Sequence, residues 1–150
     1  MYHAIVRRKL KTVFQQLNAR NFDAMPALFT SSAEHAFFGE HALGGTRHTP
    51  DAIRRWYERL PKAFPDLRFE VRQIAVSGWP WNTVAAVEWG DSGKTLDGLP
   101  FRNQGVHFVT LRWGKVASLR IYCDTATLAD VLQRNAAHGA RDAAAPPVLD

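Results

Sequence analysis

Apolar residues recur at helical spacing in the first third of the chain. Val6, Leu10, Val13, Phe14 and Leu17 stand at i, i+4, i+7, i+8 and i+11, which predicts an amphipathic helix over 4–18. Asn21 is placed to cap a second, short helix that turns Phe22, Met25, Leu28 and Phe29 inward. "AEHAFFG" then reads as a short strand and "GEHALGGTRHT" as a glycine-rich loop. "TPDAIRRWYERL" carries a clear helix start, with Thr49 at the cap and Pro50 at the first helical position. Ile53, Trp56, Tyr57 and Leu60 form its buried stripe, and Pro61 and Pro65 mark its end.

From Leu67 the period changes to two. "LRFEVR" puts Leu67, Phe69 and Val71 on one face and Arg68, Glu70 and Arg72 on the other. Ile74 and Val76 fall out of phase, so a bulge or bend is expected near Gln73. "SGWPWN" reads as a turn, and "TVAAVEW" as a strand apolar on both faces. "GDSGKTLDGLP" reads as a polar connection. "FRNQGVHFVTLRW", "GK" and "VASLRIYCD" read as a hairpin with a very short turn. A last helix is expected from Asp124 or Thr125 to about Arg134, followed by the low-complexity run "AAHGARDAAAPPVLD".

Helices gather early and long antiparallel strands late, with one helix to close. This is an α+β order. It predicts a cone: a curved antiparallel sheet wrapped by three to four helices around a central cavity. One domain is expected over 1–135, and 136–150 as a flexible tail.

The hairpin acts as a ruler for the sheet faces. With a two-residue loop and a regular register, one face receives Asn103, Gly105, His107, Val109 and Leu111 together with Ser118, Arg120, Tyr122 and Asp124. The opposite face receives Val106, Phe108, Leu119, Ile121 and Cys123. A bulge would flip every later side chain. Asp124 therefore has two readings. It caps the last helix, or it stands in a pocket beside Tyr122 and His107, where desolvation would raise its pKa.

Composition narrows the chemistry. The chain has 150 residues, 46% hydrophobic and 22% charged, as in soluble globular domains. A single cysteine, Cys123, excludes an intrachain disulfide and thiolate-cluster metal sites. The six histidines show no HExxH spacing, and no metal or cofactor is expected. No run of 18 apolar residues exists and no signal-peptide pattern opens the chain, so a cytoplasmic protein without a membrane partner is expected. The net charge is +5, but the cations are scattered along the sequence, which favours solvated outer faces over a nucleic-acid partner.

The segment "FDAMPALFTSSAEHAFFGEHALGGTRHTPDAIRRWYERLPKAFPDLRFEV" resembles the front half of a SnoaL-like domain, within the nuclear transport factor 2-like, or ketosteroid-isomerase-like, superfamily. "GVHFVTLRWGKVASLRIYCD" resembles that family's glycine-lysine hairpin ending in "Y-x-D". The resemblance spans roughly residues 4–133 and implies a cone-shaped fold with an apolar cavity. It implies cofactor-independent acid/base chemistry on a carbonyl compound, of the polyketide cyclase or isomerase type. Asp124 would be the acid/base, with His107, His35 or Tyr122 as donor to the developing oxyanion. Trp56, Tyr57, Phe37, Glu88, Trp89 and Arg120 are the candidate substrate contacts. The alternatives are a non-catalytic binding module and an epoxide hydrolase. The last is disfavoured by "TVAAVEW", which lacks the expected Arg-x-Asp. A small apolar or aromatic ligand is expected, as is a homodimer through the sheet with Trp79, Trp81 or Trp113 contributing.

Overall fold

The computed structural model describes residues 1–150. Helix α1 spans Tyr2–Asn18 and buries Val6, Leu10, Phe14 and Leu17, as its stripe predicts. Two short 3-10 helices follow, Phe22–Ala24 and Pro26–Leu28, where one short helix was expected. Strand β1 covers Phe29–Phe37 and β2 covers Gly45–Arg47. Helix α2, Pro50–Ala63, starts where expected: the Ala52 amide donates to Thr49 Oγ1 at 3.2 Å. Four long strands come next, β3 (Arg68–Trp79), β4 (Asn82–Lys94), β5 (Pro100–Arg112) and β6 (Lys115–Cys123). Helix α3, Thr125–Ala137, closes the core.

The six strands form one sheet in the order β2-β1-β6-β5-β4-β3. The sheet is mixed rather than purely antiparallel, because β1 pairs parallel with β6. The expected irregularity near Gln73 is present as a register shift between Val71 and Gln73. No helix is long and apolar enough to cross a membrane.

Two departures from the sequence reading matter for the site. The β5–β6 loop does have two residues: Trp113 (φ 50°) and Gly114 (φ 79°) both lie in the left-handed region, as a type I′ turn requires. Arg112 pairs with Lys115 and Leu111 with Val116, but Thr110 pairs with Ser118. Ala117 is thus an extra residue in β6, and this bulge inverts every side chain after it. His107 lies opposite Ile121, and Gly105 opposite Cys123. Arg120, Tyr122 and Asp124 are therefore not on the face shared by Asn103 and His107.

The second departure is at β4. "GDSGK", expected within a loop, continues the strand to Lys94, and the real connection is only Thr95–Leu99. The Thr95 amide donates to the Leu99 carbonyl at 2.8 Å.

The segment after α3, expected to be flexible, is packed. Ala140, Ala143 and Val148 join the core, so burial of small apolar groups outweighs the weak local pattern. The Asp150 carboxylate accepts from the His48 and Thr49 amides at 2.7 and 3.0 Å, which holds its pKa down to about 2. Two free donors ahead of α2 are thereby satisfied.

Candidate active site

The sheet curls around a cavity capped by α1, α2 and α3. Alternation along each strand decides what faces it. Strand β4 contributes Trp89 and Asp91, β5 contributes Asn103 and His107, and β6 contributes Ile121 and Cys123. Trp56, Tyr57 and Leu60 of α2, Phe37 of β1 and Leu128 of α3 close the other walls. The cavity is narrow, with about 40 Å3 of free room inside it. Asp91, Asn103 and His107 are its polar groups; the rest of the lining is hydrophobic.

Asp91 is the acid of this cavity. Its Oδ1 is buried without a hydrogen-bond partner. Desolvation raises its pKa to about 6, and the Asn103 backbone opposes that rise. Asn103, its cross-strand neighbour, spends its own amide on the Asp124 carbonyl at 3.0 Å. A carboxylate with one unpartnered oxygen, pushed up to about 6, can both take and return a proton near neutral pH.

His107 is held neutral. Burial lowers its pKa to about 3. The Trp89 indole N–H donates to His107 Nδ1 at 2.7 Å, so the ring proton must sit on Nε2. The indole reaches His107 by crossing the backbone of Gly105. A Cβ at Gly105 would stand 2.6 Å from Trp89 Cζ2 and 2.2 Å from the Tyr122 carbonyl oxygen, so only glycine fits. Trp89 thus fixes the tautomer, and His107 becomes a neutral N–H donor, unable to serve as base at neutral pH.

His35 sits behind this cavity, fully buried against the rings of Trp56 and Tyr57, at centroid distances of 4.4 and 5.6 Å. Arg47 Nη1 donates to His35 Nδ1 at 2.9 Å, which again leaves the proton on Nε2; that atom has no partner. Burial first, then the Arg47 charge, holds the His35 pKa well below the usual imidazole value. Arg47 is itself fully buried without a carboxylate. It donates to the carbonyls of Gly44, Gly45 and Val148 at 2.7–2.9 Å and lies over the Trp56 ring, and burial lowers its pKa to about 10.

The other expected site residues divide cleanly. Trp56, Tyr57, Phe37 and Trp89 line the cavity. Burial pushes the Tyr57 phenol pKa upward. Glu88 is exposed on the outer face. Arg120 is also outside, donating to Glu34 at 3.2 Å, and Tyr122 stacks on Phe38 at 4.8 Å. Asp124 caps α3. It accepts from the Ala126 and Thr127 amides at 3.1 and 3.2 Å and from the Thr127 hydroxyl at 3.0 Å. Those bonds hold its pKa below the ordinary carboxylate value. Asp124 and Glu88 share no pocket. Asp91 was missed because it was read as loop, although Val87, Trp89 and Asp91 continue the alternation of β4. Cys123 also faces the cavity; burial and the nearby Asp91 and Asp124 charges push its thiol pKa to about 12, so it is no nucleophile at neutral pH.

The fold can be set beside known proteins that resemble this chain. The SnoaL-like domain family model matches residues 10–119, and the chain belongs to that family. Among solved structures, an NTF2-like protein of unknown function from Burkholderia pseudomallei superposes with a TM-score of 0.74 at 16% identity, over 84% of this chain and 95% of that one. TerC co-crystallised with polyporic acid gives 0.66 at 18% identity, over 80% and 92%. Aln2 from a Streptomyces species gives 0.66 at 16%, over 83% and 92%. These identities establish the NTF2-like fold and nothing finer. No curated protein sequence matches.

Proposed function

We propose that the protein binds a small, planar, conjugated carbonyl compound in its cavity and moves a proton on it without a cofactor, as a cyclase- or isomerase-type enzyme. The observation that carries this reading is Asp91: a carboxylate in an apolar cavity with its Oδ1 unpartnered, where burial pushes its pKa up to about 6. In its ionised form it takes a proton from a carbon activated by the ligand carbonyl. The electron pair moves through the conjugated system to the carbonyl oxygen, where His107 Nε2–H donates a hydrogen bond to the developing negative charge. Protonated Asp91 then returns the proton to another carbon, or the enolate carbon attacks a second carbonyl to close a ring and Asp91 returns its proton to the alkoxide that forms.

Spacing supports a ring-sized substrate. Asp91 pairs with Asn103, and Val87 with His107, so acid and donor stand four residues apart along neighbouring strands. That is about 13 Å of strand, narrowed by two side chains that reach inward. A planar ring would lie between them against Trp89, and the lining side chains would move apart to admit it, since only about 40 Å3 is free in this structure. TerC, whose crystals hold polyporic acid, is a fold relative consistent with an aromatic ligand.

The test is hydrogen–deuterium exchange at carbon in D2O, followed by NMR over a panel of aryl and polycyclic ketones. The wild type accelerates exchange, Asp91→Asn abolishes it, and Asp124→Asn leaves it intact. Binding by tryptophan quenching without exchange on any compound would instead make the protein a ligand carrier. The proposal keeps the cytoplasm as the compartment. It also retains the homodimer through the outer sheet face, where Phe108 and Tyr122 are exposed; sedimentation as a monomer at high concentration would remove it.

A further inference from the structure

Three indoles stand together outside the cavity, at one pole of the cone. Trp79 ends β3, Trp81 lies in the β3–β4 turn and Trp113 occupies the β5–β6 turn; they are 56% to 74% exposed. The two turns are tied by the Trp113 amide, which donates to the Pro80 carbonyl at 2.7 Å. Trp79 and Trp81 are nearly parallel, with centroids 6.2 Å apart, and Trp113 lies 6.4 Å from Trp81. The start of α1 adds exposed Ile5, and His3 holds that end of the helix to the Gly78 carbonyl at 2.8 Å. Monomeric proteins seldom expose so much contiguous aromatic surface without a partner.

The backbone adds a second observation. Trp113 takes a left-handed conformation at a turn position that favours Asn, Asp or Gly. A bulky residue there is strained, and its side chain is mostly exposed to solvent.

Charge identifies the partner. Six Lys and Arg residues (Arg7, Arg8, Lys9, Lys11, Arg112 and Lys115), and no Asp or Glu, lie in segments 1–11, 76–84 and 111–116. These segments build the start of α1 and the tips of both hairpins. Lys9 donates to the Gly114 carbonyl at the turn that carries Trp113, and Arg112 and Lys115 flank that turn, all three exposed. A second copy docked pole to pole would bring two acid-free clusters together, so the partner is anionic. The indoles sit on protruding turn tips rather than in a groove that could track a nucleic-acid strand. Indole rings settle at the headgroup level of a bilayer, and Lys and Arg are drawn to anionic lipids.

We infer that this pole docks peripherally on an anionic phospholipid bilayer, with Trp79, Trp81 and Trp113 inserted at headgroup depth and Lys9, Arg112 and Lys115 facing lipid phosphates. The inference does not depend on the reaction in the cavity. Docking there would place the protein where apolar substrates partition.

The experiment is vesicle co-sedimentation with tryptophan emission. Phosphatidylcholine vesicles are compared with vesicles containing about one-third phosphatidylserine. Binding to the anionic vesicles alone, with a blue shift and loss in high salt, is expected. Arg112→Gln with Lys115→Gln weakens it on the order of tenfold. Trp79→Gln, Trp81→Gln and Trp113→Asn together reduce it below detection. The single variant Trp113→Asn suits the turn, so it guards against misfolding; it alone weakens binding while thermal stability holds or rises. No binding to anionic vesicles, equal binding by the Trp variants, or a dimer that those variants dissolve would each overturn the inference. Tighter capture of single-stranded oligonucleotide than of vesicles would do the same.

Discussion

Asp91→Asn separates the energetic cost of the cavity acid from its use. The folded-state pKa of Asp91 is raised from 3.8 to about 6. A raised carboxylate pKa means that the folded protein holds its proton more tightly than the unfolded chain. Below pH 3.8 both states are protonated and the group contributes nothing. Between about pH 4 and 6 the unfolded chain ionises first, and above pH 6 the folded protein carries the full penalty. A shift of this size corresponds to about 3 kcal/mol. Asn is nearly the same shape and never ionises. Asp91→Asn is therefore expected to be about as stable as wild type at pH 4 and more stable by up to about 3 kcal/mol at pH 8. His35 and His107 also titrate, but in the opposite sense: their depressed pKa values cost stability as pH falls below 6.5. The difference between variant and wild type cancels those contributions, and urea unfolding measured at several pH values reads it directly. Under the proposed function, the same substitution is expected to abolish carbon–hydrogen exchange. A difference that does not grow between pH 4 and 8, or a variant less stable at pH 8, would refute the assignment of Asp91 as a desolvated acid.

Other substitutions test the remaining parts. Trp89→Phe removes the N–H that fixes His107, so His107 15N shifts should change from a pure Nε2–H pattern to a mixture; an unchanged pattern would mean that something else sets the tautomer. Gly105→Ala drives the indole off His107 and is expected to produce the same NMR change with a loss of about 1–3 kcal/mol, seen in thermal unfolding. Asp124→Ala loses the α3 cap and about 1 kcal/mol, with ligand affinity unaltered; a large affinity loss would bring Asp124 back as a site residue. Arg47→Met leaves His35 and three carbonyls unpaired and should cost several kcal/mol, in the range seen when a buried polar network is broken.

Much of the fold was legible because local signals agreed. The α1 stripe, the Thr49 cap with Pro50 behind it, the bulge near Gln73 and the two-residue hairpin are all written in side-chain period and turn chemistry. Of the cavity walls, Trp56 and Tyr57 followed from the α2 stripe, whereas Phe37 and Trp89 were candidates through the family resemblance. What failed was a single residue of register. Ala117 carries no bulge signal of its own. The extra residue arises where β6, paired with β5 on one side, also takes β1 as a parallel neighbour on the other. That one residue moved Tyr122 and Arg120 outside and left Asp124 to its cap. Asp91 was hidden for a different reason: glycines at 90 and 93 look like a loop, yet they lie in the strand. A Cβ at Gly93 would meet the Asp66 carbonyl at 2.3 Å, whereas at Gly90 only the exposed Arg72 side chain stands close and can give way. The indole–cation pole was equally invisible, because cations scattered along the chain gather only when α1 and the two hairpins meet.

The most direct test of which acid serves the cavity is a carboxylate-resolved NMR titration of the folded protein, with Asp91→Asn and Asp124→Asn to assign the signals. Asp91 should titrate near pH 6 and Asp124 below the ordinary carboxylate range. An ordinary or low midpoint for Asp91, with a raised one for Asp124, would contradict the account and return the chemistry to the end of β6.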